Sequence, residues 1–140
     1  MKKIILLLLS TIPFALNNCD DNPVELENNS PVILSLTVFP EVVGPSDSLI
    51  VICNAFDPDA DILVYDWYTT GVVKIKGALP GLPALFNTPE NSRIFYAPES
   101  IYVSAPQDTF RIECAARDGK GGQVSQSINF IVVNNFSLLR

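Results

Sequence analysis

Hydrophobic and polar residues alternate with a period of two along most of the chain from residue 32 onward. Five segments show this alternation and are predicted to be half-buried β-strands: residues 31–39, 48–55, 62–68, 109–116 and 126–133. They are rich in β-branched and aromatic residues, and Pro, Gly, Asn and Asp separate them, as is typical of strands joined by turns. The pattern predicts an all-β domain over residues 32–134, folded as a sandwich or a barrel and followed by a tail at 135–140.

The alternation also separates the residues expected to face the core from those expected to face solvent. The predicted core residues are Leu34, Leu36, Val38, Leu49, Val51, Cys53, Ala55, Leu63, Tyr65, Trp67, Phe110, Ile112, Cys114, Ala116, Ile128, Phe130 and Val132. Asp66 lies on the opposite face of its strand and is expected to be paired or solvated. The aromatic residues that remain as candidates for an exposed surface are Tyr68, Tyr96 and Tyr102.

The first twenty residues have the pattern of an export signal. Lys2 and Lys3 precede an apolar stretch over residues 4–16, which is shorter than the ~20 residues that span a bilayer. We therefore expect residues 1–18 to be removed. The following segment, 19–31, is acidic and polar, and is expected to form a hydrated tether.

The sequence "LNNC" at residues 16–19 resembles a bacterial lipobox, although Asn18 stands where a small residue is usual. Lipidation of Cys19 would also account for the odd thiol among three cysteines. Asp20 and Asp21 resemble the acidic start of lipoproteins sent to the outer membrane or cell surface. The expectation is an exported protein whose lipid anchor makes the membrane its first partner.

The charge balance excludes several classes of partner. The 140 residues include 15 acidic and 9 basic side chains, with a net charge of −6 and no histidine. An acidic chain without a basic stripe is a poor ligand for nucleic acid. The absence of histidine removes the commonest neutral-pH base and transition-metal ligand. No cofactor is expected to be required, but oxygen-ligated cations such as Ca²⁺ remain compatible with the composition.

The order Cys53, Trp67, Cys114 is similar to that of immunoglobulin-like sandwiches. In those domains a disulfide joins the two sheets and packs against a buried tryptophan, which here implies a Cys53–Cys114 bridge. Closing a loop of this length would contribute about 4 kcal/mol in the chain-entropy model. Ile112 stands at the tyrosine-corner position, so the chain does not resemble antibody domains.

Three segments resemble PKD-type and related bacterial immunoglobulin-like domains: "SLIVICNAFDPDADILVYDW", "FYAP" and "DTFRIECAARDGKGGQVSQSINFIVV". Ala60 replaces a usual glycine, and "FYAP" lacks a usual tryptophan. The resemblance covers most of residues 30–133 and implies an antiparallel sandwich of about seven strands. It also implies an extracellular spacer or adhesion module, with no single ligand.

Four aspartates are candidates for a cation site. Asp57, Asp59 and Asp61 follow the second predicted strand, and Asp118 lies in the loop "RDGKGG". In an immunoglobulin-like sandwich these two loops share one end, and clustered carboxylates are the usual ligands of Ca²⁺. Aspartates in such loops also shape turns by accepting backbone hydrogen bonds. The sequence leaves both interpretations open. It excludes an EF-hand, because Ile62 and Tyr68 occupy the required glycine and glutamate positions.

The segment at residues 77–86, "GALPGLPALF", has no charge and four Gly or Pro residues. This composition disfavours a helix or a central strand. The segment is expected either to cover an open edge or end of the sandwich or to form a partner-binding surface. The side chains concerned are Leu79, Leu82, Leu85 and Phe86.

No nucleophile elbow or phosphate-binding loop is present in the sequence. A domain this small, with its apolar faces committed to one core, also offers little cleft for catalytic carboxylates. The chain is therefore predicted to be a non-catalytic, lipid-anchored envelope module for binding or spacing a protein or glycan. The alternative is an accessory carbohydrate-binding lipoprotein of a polysaccharide-uptake system, which a row of exposed aromatic residues would support. A hydrolase ranks last.

Overall fold

The computed structural model describes residues 27–70, 72–99 and 106–134, and the regular elements in these ranges are all β-strands. The strands are β1 (Val32–Phe39), β2 (Val42–Val43), β3 (Ser48–Phe56), β4 (Val64–Thr69), β5 (Lys74–Ile75), β6 (Ala84–Thr88), β7 (Ser92–Tyr96), β8 (Gln107–Arg117) and β9 (Gln123–Val133). The expected signal at 1–18, Cys19, most of the tether and the tail at 135–140 lie outside the described residues. No helix in the described part is long and apolar enough to cross a membrane.

The strands form two sheets packed face to face, which confirms the prediction of an all-β sandwich. The four-stranded sheet has the order β1-β3-β7-β5, and the five-stranded sheet has the order β2-β9-β8-β4-β6. Neighbouring strands are antiparallel, except that β2 runs parallel to β9. The described chain has nine strands where about seven were expected, because β2 and β5 are additional pairings of only two residues each.

Aromatic residues fill the centre of the sandwich. Trp67 on β4 is fully buried, with its ring 5.8 Å from that of Phe95 in the opposite sheet and 6.5 Å from that of Tyr65. Phe110 and Phe130 pack together on the neighbouring strands β8 and β9, with their ring centres 5.7 Å apart. Burial of these large rings is a major part of what holds the two sheets together.

One predicted core residue is on the wrong side. Leu34 was expected to face inward with Leu36 and Val38, but its side chain is 62% exposed. The pairing of β1 with β3 shifts between Ile33 and Ser35, and such a bulge reverses the side on which the following residues point. Ile33 packs against the core instead of Leu34.

Cys53 on β3 and Cys114 on β8 lie fully buried in opposite sheets. They are free thiols in this structure, so the expected disulfide stays a prediction. The thiols are hydrogen-bonded to each other. This contact, together with burial, raises the pKa of Cys114 well above its ordinary value. The pair therefore occupies the position that the resemblance implied, without the bond.

The two ends of the sandwich carry different loops. At one end, called here the N-terminal end, the chain enters at residues 27–31 beside loops 57–63 and 118–122. At the other end, called the distal end, lie residues 72–83, the segments that flank β2 and the segment that follows β7. Strands β8 and β9 have eleven residues each and connect the two ends over roughly 36 Å.

Candidate functional site

Asp57 builds the turn that follows β3. Its Oδ1 atom accepts hydrogen bonds from the backbone N–H groups of Asp59, at 2.8 Å, and Asp61, at 3.3 Å. Its backbone carbonyl accepts the N–H of Ala60 at 3.1 Å. This is the local aspartate turn that the sequence allowed. It directs the three aspartates of the loop toward a common point.

The carboxylates of Asp57, Asp59 and Asp61 meet in this loop. Each offers one oxygen, and the three oxygens lie within 4.8 Å of one another. Asp57 is only 9% exposed. Among the described residues, its Oδ2 atom and that of Asp61 are both buried without a hydrogen-bond partner. A buried carboxylate oxygen without a donor is costly, so these two atoms are the ones that a bound cation would satisfy.

Lys120 supplies the local positive charge. Its Nζ atom lies 2.7 Å from Oδ1 of Asp61. This hydrogen bond, together with the charge of the same carboxylate, raises the pKa of Lys120. The cluster thus has three acids and one ammonium group, and the ammonium group contacts Oδ1 of Asp61.

Asp118 lies at the same end but is engaged differently. Its Oδ1 atom accepts the backbone N–H groups of Lys120, at 2.7 Å, and Gly122, at 2.9 Å. Its Oδ2 atom accepts the side-chain amide of Asn28 at 2.7 Å, a contact that lowers the pKa of Asp118. A side chain at position 122 would collide with this carboxylate, because a Cβ atom there would lie 2.1 Å from Oδ2. Asp118 therefore shapes the loop between β8 and β9 and is not among the three carboxylates that meet.

The last described residues of the tether bind to this end of the sandwich. Asn29 donates its backbone N–H to Oδ2 of Asp59 at 2.6 Å and its side-chain amide to Oδ1 at 3.0 Å. These two contacts, the backbone contact first, lower the pKa of Asp59. Asn28 is held by Asp118 through its side-chain amide alone. The sequence-based interpretation treated this segment as free tether and missed the attachment.

Comparisons with known proteins identify no family for this chain. No protein-family model matches the chain, and no curated protein matches it. A solved structure similar to this chain is that of a conjugative transposon lipoprotein from Bacteroides eggerthii. The two share 13% sequence identity, the match covers 72% of this chain and 94% of the other, and the TM-score is 0.45.

The apolar segment at the distal end divides into exposed and buried parts. Leu79, Leu82 and Phe86 are exposed by 70%, 51% and 52%, whereas Leu85 packs against the core. Its last residues form β6, an edge strand between Pro83 and Pro89. Leu85 therefore helps to close the sandwich, whereas the other three side chains are exposed, and their binding of a partner stays a prediction.

A cavity of about 720 Å³ opens beside this surface. Aliphatic side chains line most of it, including those of Val72, Leu79 and Leu82. Lys74 and Glu99 also line it, and their charged groups pair at 2.5 Å. The cavity is an open apolar depression with one ion pair beside it.

Asp66 has a structural role. It is buried and forms a 2.8 Å ion pair with Arg117 of the neighbouring strand β8. It also accepts the backbone N–H of Asn87 at 2.8 Å, and Arg117 donates to the side-chain oxygen of Asn87 at the same distance. This network holds the end of β6 against β4 and β8. Asp66 is therefore paired, which is one of the two outcomes expected from the sequence.

The described aromatic candidates for glycan binding do not form a row. Tyr68 on β4 contacts Phe86 edge to face, with their ring centres 5.5 Å apart. Tyr96 belongs to β7 in the other sheet, and Tyr102 lies outside the described residues. On the five-stranded sheet, the described aromatic candidates therefore offer one pair, half-buried Tyr68 with exposed Phe86.

Proposed function

We propose that the protein is a non-catalytic, lipid-anchored module of the bacterial cell envelope that presents an apolar distal end to a binding partner. One observation carries this proposal. The tether joins the sandwich at the N-terminal end, where Asn28 and Asn29 are hydrogen-bonded, whereas Leu79 and Leu82 are exposed at the distal end. An anchor at Cys19 would place the membrane near one end and leave the other available.

The sequence of the first twenty residues supports anchoring. A lysine pair, a short apolar run and Cys19 within "LNNC" are the features of a bacterial lipoprotein signal. The acidic residues after Cys19 favour the outer membrane or cell surface. An immunoglobulin-like assignment of the sandwich is supported by Cys53, Trp67 and Cys114, all buried where the two sheets meet.

A protein partner fits the distal end better than a glycan does. The cavity is lined mainly by aliphatic side chains, which suit an apolar segment of another protein. The described carboxylates take part in turns and ion pairs, as Asp57, Asp66 and Asp118 show. These contacts support a binding or spacing role over hydrolysis.

Site-specific photo-crosslinking on intact cells tests the proposal. A benzophenone amino acid at Leu82 should give a defined adduct with an envelope component. The same group at Ser127, an exposed residue of β9, serves as the matched control and should not give that adduct. Identical adducts from both positions, or none from Leu82, would contradict a binding role for the distal end.

A second function, binding of Ca²⁺, is favoured by one specific observation: the buried, unpaired Oδ2 atoms of Asp57 and Asp61. Asp59 would supply a third oxygen within the same 4.8 Å cluster. Ca²⁺ takes six to eight oxygen ligands, so water and backbone carbonyls would complete the shell. Bound there, the ion would hold together the loop after β3, whose Asp59 also binds the tether.

Calorimetric titration with Ca²⁺ tests this site. Heat and a higher melting temperature at millimolar Ca²⁺ are expected for the unchanged protein, and Asp61→Asn should lose both. Lys120→Gln should bind Ca²⁺ more tightly than the unchanged protein, because the competing ammonium group is gone. Asp108→Asn, at an exposed position of β8, is the control and should behave as the unchanged protein. No heat in any of these proteins would exclude the site.

A further inference from the structure

The last described residues of the tether each bind a different loop at the N-terminal end. Asn28 donates its side-chain amide to Asp118 in the loop between β8 and β9. Asn29 donates both its backbone N–H and its side-chain amide to Asp59 in the loop after β3. The tether is therefore seated across both loops, and Asp59 is shared between the tether and the three aspartates of its own loop.

Two further contacts belong to the same seat. Lys120 pairs with Asp61, which joins the loop between β8 and β9 to the loop after β3. The backbone of Ser30 lies directly over Gly122, since a Cβ atom at position 122 would be only 2.9 Å from the Cα atom of Ser30. A change in the position of either loop would therefore alter the contacts of the tether with both.

The aspartate cluster, Asp57, Asp59 and Asp61, contains two buried ligands and one exposed ligand. Asp57 is 9% exposed, and its Oδ2 atom and that of Asp61 are buried without a hydrogen-bond partner among the described residues. These two atoms are the feature that points to a bound cation. Asp59 is exposed, and an exposed side chain loses conformational entropy when an ion fixes it. The two donors of Asn29 already hold it in place.

Asn29 and a cation can bind Asp59 at the same time. An ionised carboxylate has about four lone-pair sites, and the hydrogen bonds from Asn29 take one on each oxygen. One site on each oxygen is left for an ion. Groups that hydrogen-bond to a metal-binding carboxylate orient it, and their loss typically lowers metal affinity by roughly 10–100-fold.

We propose that Asn29 is a positioning residue of the Ca²⁺ site, so that Ca²⁺ bound at the aspartate cluster locks the tether onto the sandwich. The inference rests on the Ca²⁺ site proposed above and adds the tether to it. Linkage makes the effect reciprocal: seating of the tether raises the affinity for Ca²⁺ by the same factor by which Ca²⁺ favours the seated tether. In an anchored domain, the ion would set how firmly the sandwich is attached to its tether.

Calorimetric titration with Ca²⁺ measures the first half of this coupling. Asn29→Ala removes the amide contact with Asp59 and should weaken Ca²⁺ binding by about tenfold relative to the unchanged protein. Asn129→Ala, at an exposed position of β9, is the matched control and should bind as the unchanged protein does. Equal affinity of Asn29→Ala and the unchanged protein would overturn the inference. Tighter binding by Asn29→Ala would also overturn it, because the tether would then compete with the ion for Asp59.

Limited proteolysis of the full chain measures the second half. Glu27 is exposed and precedes the two bound asparagines, so a glutamate-specific protease should cleave after it efficiently only when residues 28–30 leave the sandwich. Saturating Ca²⁺ should slow this cleavage by about the factor that linkage requires. Cleavage after Glu99, which is exposed at the distal end, is the internal reference and should keep its rate. In Asp61→Asn, Ca²⁺ should have no effect on either cleavage.

The outcomes separate this inference from the proposed Ca²⁺ site. No binding of Ca²⁺ by the unchanged protein would exclude the site and the inference together. Binding of Ca²⁺ without any change in the rate of cleavage after Glu27 would overturn the inference and leave the site in place. Faster cleavage in Ca²⁺ would mean that the ion releases the tether, which is the opposite of the proposed effect. None of these results depends on the role of the distal end.

Discussion

Ala60 has a backbone conformation that suits glycine better than alanine. Its φ angle is +61°, in the left-handed region that costs a residue with a Cβ atom about 1–2 kcal/mol. It stands where the domains that this chain resembles have glycine. The alanine therefore carries local strain in the loop that assembles Asp57, Asp59 and Asp61.

The substitution Ala60→Gly should stabilise the protein. Relief of the left-handed strain exceeds the extra chain entropy of glycine, so we expect a net gain of about 0.5–1 kcal/mol in the free energy of unfolding. Urea denaturation measures it. Ala84→Gly in β6 is the control and should lose a similar amount, because no left-handed conformation is present there. Equal losses at both positions would contradict the assignment.

The contact between Asn28 and Asp118 should make the free energy of unfolding depend on pH in the acid range. The folded-state pKa of Asp118 is lowered, chiefly by the Asn28 side chain, so the unfolded state binds more protons when the pH falls toward the ordinary carboxyl pKa. The stabilisation is present above that pKa and is lost as the pH falls through the folded-state value.

The variant Asn28→Ala should therefore be less stable than the unchanged protein at pH 7, and the difference should shrink by about pH 3. Urea denaturation at both pH values tests this. The control, Asn129→Ala at an exposed position of β9, should show the same difference at both. A constant difference for Asn28→Ala would mean that its contact with Asp118 is not linked to protonation.

Cys53 and Cys114 provide the third residue-scale prediction. If the two adjacent thiols oxidise after export, the bridge should raise the free energy of unfolding by about 4 kcal/mol over the reduced form. Urea denaturation with and without reductant measures the difference, and Cys114→Ala should remove it. Equal stability of the oxidised and reduced protein would show that the pair remains as free thiols.

Strand β6 and the loop before it combine a structural residue with surface residues. Leu85→Ser should lower the free energy of unfolding by about 1–3 kcal/mol, because Leu85 packs against the core. Leu82→Ser, at a 51% exposed position, should change it by less than about 0.5 kcal/mol. Thermal denaturation of the two variants measures the contrast. Similar losses in both would place Leu82 in the core.

The elements show how far the sequence predicts this fold. Alternation identifies β1, β3, β4, β8 and β9, because each has one face buried between the sheets. Strands β2 and β5 have two residues each, too few for any periodicity. The bulge in β1 arises from its pairing with β3, which the pattern of one strand does not contain, and Leu34 was misplaced for that reason.

The candidate site was predictable only in part. Grouping of Asp57, Asp59 and Asp61 follows from their spacing within one turn. The attachment of Asn28 to Asp118 joins residues 90 positions apart, and the polar residues involved carry no periodic signal. The exposed side chains of Ile50 and Ile52 did have a signal, the uninterrupted apolar run in β3. That run was interpreted only for its inward face.

At the scale of the whole molecule, the central claim is a polarity: one end of the sandwich is bound to the tether, and the other end is apolar and exposed. The tether and the aspartate cluster share one end, and the exposed apolar loop occupies the other, separated from it by β4, whose six residues span roughly 20 Å. Because Asn28 and Asn29 are bound to the sandwich, the proposed anchor at Cys19 would leave the tether before them to set its distance from the membrane. The domain should therefore hold its apolar end away from the lipid.

Energy transfer in vesicles tests this polarity most directly. Full-length lipidated protein would carry a donor fluorophore, attached through an unnatural amino acid, either at Gln123, which is exposed at the N-terminal end, or at Leu82 at the distal end. The acceptor would be a labelled lipid. The account predicts clearly stronger transfer from Gln123 than from Leu82. Equal transfer from the two positions, or stronger transfer from Leu82, would contradict it.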